Sequence, residues 1–336
     1  MRYVKGDILT QNGFEKGYLG FEQNQIIEIE KGFPPEKSIA EGFITPTLVN
    51  AHTHIGDSFV RMKDIELPRN VEELVAPPNG LKHRLLKKAS EEEIIDGMKN
   101  SIKEMIKLGI SYFCDFREDG VNGIYQLRNA MKDSNIRSLV LSRPRQMNYD
   151  KNEVDLLLEN SDGIGLSSIS DWDYSEVENI ARHAKQKNKL FALHASEAIR
   201  EDIDLILDLK PDFLVHMVAA TESDLIHVRD EDIPVAICPR SNDFFNLKIN
   251  LTLMKKVGIE LMLGTDNAMI NTPNILDEIR HLRDTSKVFS IEELLTMITY
   301  TPRKVLNLDD CIHGLNPSCN FVVLDKDSLE PTYTSK

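Results

Sequence analysis

Eight short apolar runs, each followed by a stretch of helical periodicity, constrain the fold of this chain more than any other feature. They cover residues 44–51, 110–116, 136–143, 163–169, 190–194, 213–217, 235–239 and 259–265. Short apolar runs bounded by turns or helices are what parallel strands buried on both faces look like. The first intervening helix is well marked. Ser90 and Glu93 have the spacing of a capping box, Ile94, Met98, Ile102, Met105 and Ile106 make an apolar stripe, and Gly109 stops the helix. Further helices are predicted around 175–188, 197–209, 222–229 and 275–284. Eight alternating β and α units imply a (β/α)8 TIM barrel in the α/β class. A doubly wound open sheet is the alternative, but it would need fewer strands or a nucleotide fingerprint, and no Gly-x-Gly-x-x-Gly occurs.

A barrel of this kind takes roughly 250 residues, which leaves part of the 336-residue chain for something else. Residues 1–43 hold short alternating runs separated by polar turns, and Phe321-Val322-Val323-Leu324-Asp325 reads as a strand near the other end. The expected organisation is a barrel over 44–305, with a small β-rich domain built jointly from 1–43 and 306–336. The stretch 56–89, between the first strand and its helix, is long for a βα connection. It is expected either as a lid over the catalytic face or as an excursion packed on the barrel rim.

Candidate chemistry sits at the strand ends. His52-Thr53-His54 closes the first run, and residues two apart on a strand point the same way. His194, with Glu197 three residues on, ends the fifth run; His216 ends the sixth and Asp266 the eighth. Barrel active sites lie at the carboxyl ends of the strands. Imidazole and carboxylate donors suit a borderline divalent ion such as zinc, with a position left open for water. For Glu197 the competing reading is a helix-start carboxylate helped by the helix dipole; for His216 it is a second-metal or structural role. His83, His183, His227, His281 and His313 fit no ligand position and read as surface or satisfied core residues.

With His52, His54, His194, Glu197, His216 and Asp266 in this order, the chain resembles the amidohydrolase superfamily over nearly its whole length. It looks most similar to the branch with cytosine, guanine and S-adenosylhomocysteine deaminases and the triazine chlorohydrolases. His194-Ala195-Ser196-Glu197 matches that branch's His-x-x-Glu, and Cys238-Pro239-Arg240-Ser241-Asn242 and Leu263-Gly264-Thr265-Asp266 resemble its strand-seven and strand-eight segments. Binuclear relatives carry a carboxylated lysine at the end of strand four, and residues 163–171 contain no Lys. The resemblance therefore implies one divalent metal ion, zinc first and iron second, bound by His52, His54, His194 and Asp266. It also implies that Asp266 takes a proton from an activated water, that Glu197 passes it to a ring nitrogen, and that His216 hydrogen-bonds the attacking oxygen.

The expected function is hydrolytic deamination of an aminated purine, pyrimidine or related heterocycle by metal-activated hydroxide. Hydrolysis of a cyclic amide or removal of another leaving group is the second reading, and a non-catalytic scaffold the third. Asp266 is followed by Asn267-Ala268-Met269, unlike adenosine-type deaminases, which leaves the ring open. Arg143, Arg240 and Asn242 at strand ends, and Trp172 just past strand four, are candidate substrate contacts, with rim salt bridges as the competing reading. The partner expected is a small heterocyclic substrate, and relatives suggest a homo-oligomer. The 54 Asp and Glu against 40 Lys and Arg, a net charge of −14, argue against nucleic acid and anionic membranes. Cys114, Cys238, Cys311 and Cys319 are scattered and expected as reduced thiols. The amino terminus lacks a signal-peptide core and no run approaches the roughly 18 apolar residues of a membrane span, so the expected location is the cytoplasm.

Overall fold

The apolar runs become the staves of a parallel barrel in the computed structural model, which describes residues 1–308, 311 and 314–335. Strands Leu48–His54, Ile110–Arg117, Arg137–Ser142, Gly163–Leu166, Leu190–Ala195, Phe213–His216, Val235–Ile237 and Leu261–Leu263 each pair parallel to the next. The eighth is interrupted. Its first half pairs with Val235–Ile237, and its continuation Asp266–Asn267 pairs with Thr53 and His54 of the first strand, which closes the ring. The Asn50 amide cements that closure by donating to Thr265 Oγ1 (2.8 Å) and accepting from the Thr265 N–H (3.1 Å). Val49, Cys114, Ala192, Val215, Ala236 and Met262, from six different strands, meet in one buried cluster that fills the barrel. The alternate residues join the helices in a larger core, which is why the strands read as continuously apolar.

The termini build a second sheet of six strands, in the order Pro331–Thr334, Phe321–Leu324, Ala40–Pro46, Arg2–Thr10, Gly13–Glu22 and Gln25–Lys31. This moves one expected boundary. Residues 44–46, read as the start of the first barrel strand, belong to the small sheet, where Ile44 pairs with Val323 and Ile8. The chain stays extended and buried across Pro46 and Thr47, so apolarity alone could not mark the crossing. The hand-over is seen in the backbone bonds: the Thr47 N–H donates to Asn320 O, and the Leu48 N–H to Gly109 O. Cys311 and Cys319 are joined in a disulfide, against the expectation of four thiols. They stand eight positions apart, with no motif that marks them as a pair. Cys114 and Cys238 are free and buried.

The helix Glu91–Lys107 carries both halves of its capping box. The helix expected over 197–209 is shorter, spanning Ile203–Asp208 with Asp202 capping the Asp204 and Leu205 amides. Residues 196–201 form a loop held by Glu201, which accepts from the Ser170 and Ser196 N–H groups. Glu197 thus lies in a loop, and the helix-start reading of this residue falls away. The 56–89 stretch folds into a 3-10 turn (Ile55–Met62) and two short helices (Val71–Leu74 and Leu81–Lys88) that wall the cavity at the strand ends. No described helix is long and apolar enough to cross a membrane.

Candidate active site

Side chains from four strand ends converge on one point. His52 Nε2 and His194 Nε2 stand 3.2 Å apart, and His54 Nε2 and His194 Nε2 3.3 Å. Asp266 Oδ1 lies 3.3 Å from His52 Nε2 and 3.6 Å from His54 Nε2. Donors about 2.0–2.1 Å from one tetrahedral ion stand roughly 3.3–3.4 Å from each other, so these separations fit a single cation. His216 joins the group: donor atoms of His52, His194, His216 and Asp266 all lie within 4.8 Å of one another. His216 and Asp266 hold left-handed backbone, with φ of 79° and 58°. Such conformations are strained for residues with a Cβ and collect at functional sites.

The outer partners fix which ring nitrogens are bare. His194 Nδ1 lies 2.8 Å from the Leu166 carbonyl oxygen, which only accepts, so Nδ1 carries the hydrogen. His54 Nδ1 faces the Phe116 carbonyl and Glu118 Oε1, both at 3.1 Å, with the same result. Both Nε2 atoms therefore present lone pairs to each other, which is repulsive unless a cation lies between them. Burial holds these imidazoles neutral. It pushes His54 down to about 3, helped by the Lys82 charge, and drives His194 well below the usual range, helped by His52 and His54.

His216 is turned the other way. Asn242 Nδ2 faces His216 Nδ1 at 3.3 Å, so Nδ1 accepts and Nε2 carries the hydrogen, with Glu197 Oε1 3.6 Å from Nε2. Burial pushes the His216 ring down to about 4. Glu197 Oε1 is buried without a hydrogen-bond partner. Burial, then the charges of Asp266 and Asp171, raises the Glu197 carboxyl well above the ordinary range. Burial would raise Asp266 as well, but the hydrogen bond with His52 and the neighbouring His216 outweigh it and hold Asp266 well below that range. A protonated carboxyl beside an ionised one is a ready acid/base pair.

The sequence model of the amidohydrolase family matches residues 43–312. The chain belongs to the amidohydrolase family. It is a hydrolytic enzyme acting on carbon–nitrogen bonds. It is 35% identical over 330 residues to an uncharacterized protein of Methanocaldococcus jannaschii, covering 91% of this chain and 82% of that one. It is 26% identical over 368 residues to a 5-methylthioadenosine/S-adenosylhomocysteine deaminase of Thermoanaerobacter pseudethanolicus, with 97% and 80% covered. Among solved structures it resembles Helicobacter pylori aminofutalosine deaminase, bound to methylthio-coformycin, with a TM-score of 0.74, 15% identity and 97% and 93% covered. It also resembles the zinc complex of atrazine chlorohydrolase TrzN from Arthrobacter aurescens, with a TM-score of 0.72, 16% identity and 97% and 88% covered.

In this amidohydrolase, His54, His194, Glu197, His216 and Asp266 line a cavity of about 510 Å³. Arg143, one of four expected substrate contacts, lines it too, and also a neighbouring chamber of about 470 Å³. Trp172 lines only that second chamber, with Nε1–H donating to Ser167 Oγ at 2.9 Å. The other two lie outside the cavity. Arg240 turns its guanidinium toward Asp277 and Glu278, at 3.6 Å from each, and Asn242 is buried behind His216. His83, read as a surface or satisfied core residue, is buried and bonds the Val75 carbonyl (Nε2 to O, 3.0 Å), yet it also lines the cavity. His313 lies outside the described residues.

Sequence reading missed the ions behind the ligands. Lys82, Glu118, Asp57 and Arg117 are all buried at the barrel mouth. No motif marks them, because their pairings join elements far apart in the chain. The one available signal was a run of charged residues, Arg117-Glu118-Asp119, just after an apolar strand.

Proposed function

We propose that this amidohydrolase is a metal-dependent deaminase of an aminated purine, pyrimidine or related heterocycle. The observation that carries the metal is the convergence of the bare Nε2 atoms of His54 and His194 at 3.3 Å, with Asp266 closing the polyhedron. His52, His54, His194 and Asp266 would hold one divalent ion, with zinc the best match to an all-imidazole and carboxylate set. When bound, the ion acidifies a water so that it can lose a proton near neutral pH.

The chain's own groups supply the rest. Asp266, kept ionised, accepts a proton from the attacking water. Glu197, kept protonated, gives a proton to the ring nitrogen beside the amino-bearing carbon, which makes that carbon electrophilic. The C–O bond forms, and His216 Nε2–H donates to the developing oxyanion. The proton held by Asp266 then passes to the amino group, the proton left on the added oxygen returns to Glu197, the C–N bond breaks, and ammonia leaves as the ring carbon becomes a carbonyl. Each such placed proton transfer contributes typically about 10²–10⁴ in rate. Arg143 faces the cavity and its neighbouring chamber, where it would contact the substituent of the ring.

The test is ammonia release by the metal-reconstituted protein across aminated purines, pyrimidines, nucleosides and pterins, with metal per chain measured on the same sample. Release from one compound, abolished by chelation, is the expected result. One bound metal with silence across the panel would move the reading to a cyclic-amide or other hydrolase. Silence without metal uptake would overturn the metal centre.

A further inference from the structure

We infer that Lys82 is a positioning residue, whose ammonium ties the segment covering the cavity to ligands on two different strands. This rests on the metal-centre reading above. Lys82 is carried by the short helix Leu81–Lys88, outside the barrel, yet is only 2% exposed. Its Nζ donates to Glu118 Oε1 at 2.5 Å and to Asn267 Oδ1 at 2.9 Å, and stands 3.6 Å from Asp57 Oδ2. Each of the first two contacts leads to a ligand in one more step. Glu118 Oε1 accepts from His54 Nδ1 at 3.1 Å, and Asn267 Nδ2 donates to Asp266 Oδ1 at 2.9 Å.

The hydrogen bonds that Lys82 makes also orient both partners. Glu118 is held from its other oxygen by Arg117 Nη2 at 2.7 Å, so its carboxylate plane is set by two cations and one imidazole. The Asn267 amide can send its Nδ2 to Asp266 only while its Oδ1 faces elsewhere, and Lys82 is what Oδ1 faces. A metal-bound imidazole or carboxylate depends on such outer partners for its aim and basicity. Seating the helix Leu81–Lys88 and aiming His54 and Asp266 are thus one event. Because coupling between binding equilibria is reciprocal, metal binding must in turn hold the helix down.

The experiment uses the full chain, metal-free and then loaded, as wild type, Lys82→Met and Asn267→Ala. Zinc affinity is read by chelator competition, and the ligand field by the visible spectrum of the cobalt-substituted protein. Amide hydrogen exchange over 81–88 is followed with and without zinc. Expected are a zinc affinity about 10–100-fold weaker in both variants, an altered cobalt spectrum, and loss in Lys82→Met of the zinc-dependent protection of 81–88 seen in wild type. If Lys82→Met fails to fold by circular dichroism, Asn267→Ala decides, since it keeps every charge in place. Wild-type zinc affinity and cobalt spectrum in the folded variants would overturn the role of Lys82 alone. A wild-type protein that takes up neither zinc nor cobalt would overturn the metal reading, and this role with it.

Discussion

An alanine at Gly264 should loosen the metal centre without replacing any ligand. Gly264 marks the break in the eighth strand, where the chain passes against the backbone of His52. A Cβ there would meet His52 Cβ at 2.6 Å, His52 O at 2.8 Å and His52 N at 2.9 Å. The shortest contact must open to at least 3.4 Å, a movement of about 0.8 Å. Strand eight cannot supply it freely, because the Gly264 N–H is bonded to Ile237 O and the Thr265 N–H to His52 O, both at 3.0 Å. Much of the shift must therefore fall on His52. Metal–ligand distances tolerate only about 0.2 Å, so zinc affinity should fall at least tenfold, about 1.4 kcal/mol. Overpacking should also cost the metal-free protein about 1–3 kcal/mol. Chelator competition gives the first quantity and urea unfolding of the stripped protein the second. A variant with wild-type zinc affinity would refute the claim that close backbone approach at Gly264 sets the His52 position.

Three shorter predictions concern individual groups. Glu197→Gln should keep one metal per chain but lose about 10²–10⁴ in kcat; a near-normal rate would remove Glu197 from the proton path. His194→Asn should lower bound metal, measured by elemental analysis after dialysis, and unchanged stoichiometry would exclude it as a ligand. His83 is held down at about 4, by burial and then by the Arg143 and Lys82 charges, against 6.5 in the unfolded chain. Its neutral form stabilises the fold fully above pH 6.5, and that contribution is lost as pH falls toward 4, up to about 3 kcal/mol. In His83→Gln the metal-free protein should lose less stability over the same window; identical acid profiles in urea unfolding would show that His83 is not kept neutral.

The barrel was legible because its strands are buried on both faces and its helices carry periodic stripes and caps, as Ser90 and Glu93 do. The six candidate site residues could be picked out for a related reason. His52, His54, His194, His216 and Asp266 close apolar runs, Glu197 follows His194 by three residues, and the barrel brings strand ends together. What was not legible depends on pairings between distant parts of the chain. Ile44 reads the same whether its strand neighbour is Val323 in the small sheet or a stave of the barrel. Arg240 at a strand end looks like a substrate contact until Glu278, 38 residues on, accepts from its backbone N–H and draws in its guanidinium. Lys82 lies in a stretch of alternating basic and apolar residues, where nothing distinguishes it from Lys87 or Lys88. Its burial follows from Asn267, 185 residues away.

The same dependence on surroundings separates Glu197 from Asp266. Both are buried carboxyls beside the same cluster of imidazoles, and nothing in their chemistry assigns one to give a proton and the other to take it. Asp266 sits where imidazoles and donors converge: His52 Nε2 at 3.3 Å from Oδ1, with His216 near, then the Ser241 hydroxyl at 2.5 Å from Oδ2 and Asn267 Nδ2 at 2.9 Å from Oδ1. Each stabilises the anion. Glu197 sits one shell further into the cavity, on a loop that offers its Oε1 no donor, with Asp171 and Asp266 adding negative charge. Desolvation then favours the neutral acid. An added donor at Glu197 would lower its pKa and weaken it as an acid, whereas Ser241→Ala would remove one donor from Asp266 and narrow the gap from the other side. The positions of these donors, more than the identities of the two acids, set the direction of proton flow.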